Sequence, residues 1–476
     1  MSIYTTIYVL NILVIIYFLL LNFGYLIVNM FAFLDVKRYI KEIGLYRRKK
    51  PIHPHLHLPI SIIVPAFNEA KSILDTLRSL KALSYPEFEI IVVSDGSTDE
   101  TCSLVRSAYH LEQSERLFKF HLNTKKIKEI WESEAHKLYL IEKEQGGKSD
   151  ALNAGLNFAN YPLVTVIDAD SILEQDALYK ASFPFQIDAE VVAVGGIIRL
   201  ANGCQIINGE LKEIGFPKSH IARFQVVEYL RAFLLGRSGW NYFNAMLIIS
   251  GAFGVFKKEV LLSLGGYNTT TVGEDIEIIL RIHDQMVKQK IPYKVKFIPD
   301  PVCWTEAPED IQTLENQRNR WQRGMMESMF SYKHILFNKE YGCIGKYAFP
   351  FYYFLEMLSP VFEFGGYSVF VLGICLGVVD GEFSLLFLSV AVLLGMVLSL
   401  TTICLEELSF RRFPKITHLC YLILYSILEN CGYRQLHAYW RFKGFLDYYR
   451  GDRSWGDMAR IGFKQLTLKS YQKSPF

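Results

Sequence analysis

The chain of 476 residues predicts an α/β domain with a mainly parallel sheet, set between apolar segments that sit in a membrane. Three observations carry this. Short apolar runs (Ser61–Pro65, Glu89–Ser94, Lys137–Glu142, Leu163–Asp168) alternate with helical patterns such as Ala70–Leu83 and Lys148–Phe158, and strands alternating with helices make βαβ units. Hydrophobic residues reach 51%, high for a soluble enzyme. No charged residue precedes Asp35.

Taken in order, the first element is that uncharged stretch. Thirty-odd helical residues reach roughly 45–50 Å, more than one bilayer core. A secretory signal would have a shorter apolar region with Lys or Arg in front. Residues 1–36 are therefore expected to form one long, tilted transmembrane anchor. Lys37, Arg38, Lys41, Arg47, Arg48, Lys49 and Lys50 follow and place that side in the cytoplasm. Residues 37–57 make a basic linker that ends in a Pro/His-rich stretch. Residues 58–330 are the globular domain, in which the charged segment Ser107–His136 reads as a surface insertion.

Residues 331–476 return to apolar character. Tyr347–Phe362, interrupted by Pro350, Glu356 and Pro360, reads as an interfacial helix. Phe364–Val379 and Phe383–Leu405 read as spans joined by Asp380-Gly381-Glu382. Ile416–Leu428 is short for a span and leads into a basic tail, so a re-entrant or interfacial segment is expected. A net charge of only +3 argues against a nucleic-acid partner. The eight cysteines include no CxxC pair, so no zinc or disulfide framework follows, and they read as inert core residues.

The chemistry gathers where apolar runs end. Asp168-Ala169-Asp170 closes one run and delivers two carboxylates to the sheet edge where open α/β folds bind ligands. On an extended segment the pair points one way. Hard oxygen ligands suit Mg²⁺ or Mn²⁺, which share their coordination with substrate phosphates, although a turn or cap explains an isolated Asp-x-Asp equally well. Pro65 ends another strand before the polar loop that contains Glu69. Asp95, followed by Gly96, can accept bonds from a base or ribose beside a helix N-terminus that favours phosphate, or can simply cap that helix. Gln145-Gly146-Gly147-Lys148 lacks the spacer of a P-loop, yet puts Lys148 in the first turn of a helix, where it can neutralise a phosphate. Glu274-Asp275 opens an amphipathic helix, as a cap or as a carboxylate base. In Gln317-Arg318-Asn319-Arg320-Trp321, residues 317, 320 and 321 share a helix face. A cation beside a π-surface suits an anionic leaving group next to a sugar ring; the plainer reading is a solvated basic face with a buried Trp.

In this order, and inside membrane anchors, Pro65–Glu69, Asp95–Asp99, Gly146–Lys148, Asp168–Asp170, Glu274-Asp275 and Gln317–Trp321 resemble the processive family 2 glycosyltransferases. These are the membrane-bound synthases of cellulose, chitin, hyaluronan and poly-N-acetylglucosamine. The resemblance covers about residues 58–330. It implies a GT-A domain, a Rossmann-like mixed-sheet nucleotide-diphospho-sugar transferase flanked by transmembrane helices, on the cytoplasmic face of the cell membrane. It implies a UDP-sugar donor and Mg²⁺ or Mn²⁺. Pro65, Glu69, Asp95, Lys148 and Asp168 would bind the nucleotide sugar, Asp170 the metal, and Asp275 would be the general base. Gln317, Arg318, Arg320 and Trp321 would hold the diphosphate and the acceptor end, with Arg318 at the variable position. Ser250–Phe253 would form an acceptor-side loop. The implied reaction is inverting transfer of a hexose or N-acetylhexosamine to a growing polysaccharide, with single transfer to a lipid or lipid-linked acceptor as the alternative and a nucleotide-sensing membrane scaffold as the third reading. With three or four spans, a homo-oligomer or an export partner would complete a polymer channel. The tail past Trp455 is too short for the regulatory cyclic-dinucleotide domain of cellulose synthases.

Overall fold

The computed structural model describes residues 3–48, 57–115, 120–452 and Gly462. Trp455 and Arg460, to which the sequence gives no role, lie outside the described residues, as does most of the Pro/His-rich linker. The chain divides into two compact units that interleave in sequence: Met1–Lys37, Ser219–Ala245 and Pro308–Ala459 form the helical unit, and Arg38–Lys218, Met246–Ala307 and Arg460–Phe476 form the α/β unit.

The strands of the α/β unit are β1 (Ile60–Ala66), β2 (Phe88–Asp95), β3 (Glu112–Gln113), β4 (Ile127–Ser133), β5 (Leu138–Lys143), β6 (Leu163–Ile167), β7 (Ser171–Leu173), β8 (Val191–Leu200), β9 (Gln205–Ile207), β10 (Glu210–Glu213), β11 (Phe253–Lys257) and β12 (Lys294–Thr305). All but β9 and β10 join one sheet in the order β3-β4-β5-β2-β1-β6-β11-β8-β12-β7. β5, β2, β1 and β6 are parallel neighbours, as the alternation predicts. Their side chains are buried on both faces, which is why they read as unbroken apolar runs. The sheet as a whole is mixed rather than mainly parallel, because β11 runs antiparallel to both β6 and β8. Phe253 enters opposite Ile167 and the strand leaves at Lys257 opposite Leu163. This reversal puts the Ser250–Ala252 loop at the sheet edge where β6 delivers Asp168.

The helix Lys148–Phe158 has the limits expected from the sequence. Ile73–Lys81 starts later than its pattern, because Glu69 and Ser72 first close a turn. The charged segment expected as an insertion instead continues the fold. Thr101–Tyr109 is a helix, and β4 pairs antiparallel with β5. Its charges hid it because a half-solvated antiparallel strand need not carry a continuous apolar run.

Among the described residues three helices, Ile3–Gly44, Ile344–Cys375 and Gly381–Ser409, are long and apolar enough to cross a membrane. Phe18, Phe370 and Phe387 pack in their core, the last two stacked at 4.0 Å. Tyr347–Phe362, expected as a separate interfacial helix, instead runs across a bend at Leu358 into the next segment. Pro360 falls in the first turn of the α-helical stretch that follows this bend, where the missing N–H removes no helical bond, whereas Pro350 lies within the preceding helical run and does not end it. Ile416–Leu428 is a helix of 13 residues that ends in non-helical backbone at Cys431 and Gly432. Cys102, Cys204 and Cys303 are buried in the α/β unit, whereas Cys343, Cys375, Cys404, Cys420 and Cys431 are exposed, so the core reading of the cysteines holds only for the first three.

Candidate active site

Four parallel strands bring their C-terminal ends to one edge, and the polar loops there are tied to one another. After Pro65, the penultimate residue of β1, the chain turns through Asn68 at φ 56°. The Asn68 side-chain oxygen accepts from the Thr98 amide at 2.8 Å, and the Glu69 amide donates to the Thr101 hydroxyl at 2.9 Å. Asp99 accepts from the Ala70 amide at 3.1 Å. Burial raises the Asp99 pKa, but bonds from Thr101 and Ala70 outweigh it and hold the carboxyl below its ordinary range. Glu69 accepts from the Ser72 hydroxyl at 2.7 Å.

Asp95, at the end of β2, turns into the protein. It accepts from Lys143 Nζ at 2.5 Å and from the Gly146 and Gly147 amides at 2.9 and 2.7 Å. Lys143, with no exposed side-chain surface, also reaches Asp150 at 2.6 Å. Gly147 sits at φ 91°, a backbone that side chains disfavour, and from there the next helix begins. That geometry aims Lys148 at the sheet edge, where its Nζ lies 2.7 Å from Asp168 and 3.2 Å from Glu274.

The Asp-x-Asp pair lies on a turn and not on an extended segment. The Ser171 amide donates to the Asp168 carbonyl at 3.1 Å and closes it. The two carboxylates therefore differ. Asp168 keeps 29% of its side chain open and pairs with Lys148. Asp170 is buried, with the Thr305 and Ser171 hydroxyls at 3.4 and 3.5 Å. Burial, and then the charges of Asp168 and Asp170, push the neighbouring Cys303 thiol well above its ordinary range. Among the described residues no group of three or more His, Cys, Asp or Glu side chains gathers to enclose a metal. Two carboxylates fit a hard divalent ion that takes its remaining oxygens from a diphosphate and water.

A small open pocket adjoins this edge, with Lys148, Ser250, Gly251, Tyr267, Glu274 and Asp275 among its walls. A Cβ on Gly251 would meet Lys148 Nζ at 3.0 Å, so the loop expected to face the acceptor passes directly over this lysine. Burial and the nearby Glu274 charge keep the Tyr267 hydroxyl protonated. Asp275 stands in the first turn of Glu274–Lys288, where its side chain accepts from the Ile276 amide at 2.9 Å. The positive end of a helix favours the ionised carboxylate there.

The Gln317–Trp321 motif belongs to the helical unit, on the helix Ile311–Ser331 capped by Asp310. Arg318 is 1% exposed and Trp321 is 42% exposed, the reverse of a solvated basic face with a buried Trp. The reason is Glu228, which accepts from Arg318 Nη2 at 2.9 Å and draws the guanidinium inward.

Residues 61–205 match the family described as "Glycosyl transferase family 2", and residues 163–399 match "Glycosyl transferase family group 2". The chain is a family 2 glycosyltransferase. Among curated relatives, this glycosyltransferase is 29% identical over 289 residues to the poly-beta-1,6-N-acetyl-D-glucosamine synthase of Staphylococcus aureus strain COL, covering 60% of this chain and 59% of that one. The synthase of Staphylococcus epidermidis is 29% identical over 266 residues, 56% of this chain and 54% of that one. The chain thus spans less than two thirds of the length of the relatives it matches. A mannosyltransferase from Pyrobaculum calidifontis, solved with GDP-Man and Mn²⁺, shares the fold with a TM-score of 0.53 at 20% identity, over 88% of this chain and 99% of that one. The α/β unit of the glycosyltransferase is accordingly a GT-A domain.

In this glycosyltransferase the sequence-derived residues other than Pro65 and Asp170 fall into three groups. Lys148, Asp168 and Asp275 gather at the pocket edge. Glu69 and Asp95 sit at neighbouring strand ends, and both Asp95 oxygens already accept protein donors. Gln317, Arg318, Arg320 and Trp321 lie in the other unit. Sequence reasoning missed Lys143, Asp150 and Glu274 as charge partners. A lysine that ends an apolar strand, as Lys143 ends β5, was the available signal.

Proposed function

We propose that the protein is a membrane glycosyltransferase that moves a hexose or N-acetylhexosamine from a UDP-sugar to the end of a growing polysaccharide, with inversion. The observation that carries this reading is the pocket wall on which Lys148 and Glu274-Asp275 meet: a cation for a diphosphate beside a carboxylate at a helix N-terminus. Lys148, held at rest by Asp168 and Glu274, turns its charge to the entering diphosphate. Asp275 accepts the proton of the acceptor hydroxyl as that oxygen attacks the anomeric carbon, and the sugar–phosphate bond breaks with its electrons leaving on UDP. One displacement with no protein nucleophile inverts the centre. Glu69 and Asp95 order the loops beside the nucleoside. Asp168 and Asp170 would hold Mg²⁺ or Mn²⁺, whose chemistry is to neutralise charge on the departing diphosphate. The Mn²⁺ in the Pyrobaculum mannosyltransferase supports this choice of cofactor. Gln317, Arg320 and Trp321 serve the diphosphate and the acceptor, with Trp321 as a stacking surface for the terminal sugar. Lys37, Arg38 and Lys41 support a cytoplasmic catalytic domain on a multi-pass protein of the cell membrane.

The polysaccharide reading follows the Staphylococcus synthases. Full-length protein in detergent, given a panel of UDP-sugars with Mg²⁺ or Mn²⁺, is expected to release UDP and build long product from one donor. A product with one added sugar would replace polymerisation by single transfer to a lipid or lipid-linked acceptor. Absence of UDP release with every donor would overturn the reading.

A further inference from the structure

We propose that Arg318 is a positioning residue, clamped by Glu228, which fixes the Trp321 ring and the Gln317 amide and does not itself bind the diphosphate. The inference rests on the acceptor role given to Trp321 above.

Both terminal nitrogens and the flat face of the guanidinium are engaged within the helical unit, while the buried Nε has no hydrogen-bond partner among the described residues. Nη2 donates to Glu228 Oε2 at 2.9 Å, and Nη1 donates to the Gln317 side-chain oxygen at 2.8 Å. The guanidinium carbon stands 4.2 Å from the centre of the Trp321 ring. Glu228 is held in turn by the Tyr433 hydroxyl at 2.9 Å and lies 3.5 Å from His437 Nε2. Burial raises the Glu228 pKa, but the Arg318 charge, with the Tyr433 hydrogen bond, outweighs it and holds the carboxyl at about 2, so the clamp stays charged throughout the working range.

A diphosphate could bind the terminal nitrogens of Arg318 only by displacing Glu228 and Gln317 and so leaving a buried carboxylate uncompensated, and Nε is itself buried. The arrangement instead suits positioning. An aromatic ring with 42% of its surface open would sample several orientations, and a planar cation stacked against it restricts them. The bond to Gln317 fixes that side chain through its oxygen, which leaves its NH₂ as the group available to a sugar hydroxyl. Lysine could supply the charge but neither the second directed bond nor the flat stacking face.

The test uses the full chain in detergent with Arg318→Lys, Glu228→Gln and Trp321→Phe. Acrylamide quenching of Trp321 is isolated by difference against Trp321→Phe. Arg318→Lys and Glu228→Gln are expected to raise the Trp321 quenching constant about twofold and to lower kcat about tenfold, with UDP affinity unchanged. In a Trp321→Leu background Arg318→Lys is expected to cost less than about twofold more, because the two residues act as one. Tyr433→Phe, which keeps the ion pair, is expected to give a smaller change of the same kind if either charge variant fails to fold. Unchanged quenching overturns the clamp, and a tenfold loss of UDP affinity makes Arg318 a diphosphate ligand instead. An undiminished cost of Arg318→Lys in the Trp321→Leu background would overturn its action through the ring. If quenching shifts while transfer does not, the failure lies with the acceptor role of Trp321, and the positioning role falls with it.

Discussion

Lys148 in the GT-A unit and Arg318 in the helical unit each hold a carboxylate, but at different depths. The Lys148 side chain is 17% exposed and its partner Asp168 29%, whereas Arg318 is 1% exposed against 14% for Glu228. A pair in contact with water exchanges partners at little cost. A closed pair cannot, because removing either member strands a buried charge. Depth therefore separates charges available to a ligand from charges that shape the protein. The same contrast exists inside the GT-A unit, where Lys148 faces the pocket and Lys143 is sealed between Asp95 and Asp150.

The largest expected effect is on the open side of this comparison. Asp275→Asn keeps the shape and the helix-end bond but cannot take a proton. Transfer is expected to fall by at least about a thousandfold, with UDP affinity within about twofold of wild type. Turnover near wild type in a radiolabelled-donor assay would remove Asp275 as the base. Lys143→Met breaks the closed side. It leaves Asp95 and Asp150 buried without their cation and is expected to cost about 4 kcal/mol of stability in denaturant unfolding. A loss below about 1 kcal/mol would place Lys143 with the exchangeable pairs instead.

Depth is also what the sequence conveyed least. The parallel strands were legible because burial on both faces leaves apolar runs, and the C-terminal strand ends pointed to Asp95 and Asp168. The helix from Lys148 was legible from its double glycine and its spacing. β11 escaped notice because a five-residue apolar strand carries no mark of its direction. The inward turn of Asp95 and Arg318 was not legible, since it depends on Lys143 and Glu228, 48 and 90 residues away. Residue type suggested a nucleoside contact at Asp95 and a diphosphate contact at Arg318, and only the partner's position decides whether a charge is spent inside.

His283 extends the comparison to a buried group that is not charged. It has no exposed surface, its Nε2–H donates to the Met246 carbonyl at 2.6 Å, and Nδ1 lies 2.7 Å from the Tyr293 hydroxyl. Burial pushes its pKa down to about 4, only partly offset by the Met246 bond. Unfolded, the ring would titrate near 6.5. Between about 4 and 6.5 the unfolded chain binds more protons, so this contribution is complete above the window and lost as pH falls through it. The loss is expected to approach about 3 kcal/mol. His283 sits on the helix Glu274–Lys288 that carries Asp275 in its first turn, so acid should loosen the support of the base. Unfolding of wild type and His283→Gln at pH 7 and pH 4.5 checks this; an equal pH dependence in both would show that His283 is not the group responsible.

The smallest expected effect discriminates most finely, because it divides the open cluster itself. Lys148→Gln removes a cation that Asp168 and Glu274 share at rest, so the unliganded protein must tolerate two carboxylates near each other without it. UDP affinity is expected to drop about tenfold, or ~1.4 kcal/mol, while still rising with added Mn²⁺. Asp170→Ala is expected to do the converse. The buried carboxylate is the one assigned to the ion, so affinity without metal should hardly move while the gain on adding Mn²⁺ is lost. Calorimetric titration of UDP with and without Mn²⁺ separates the two. Loss of the metal response in Lys148→Gln but not in Asp170→Ala would reverse the assignment, making the exposed Asp168 rather than Asp170 the carboxylate on which the ion depends.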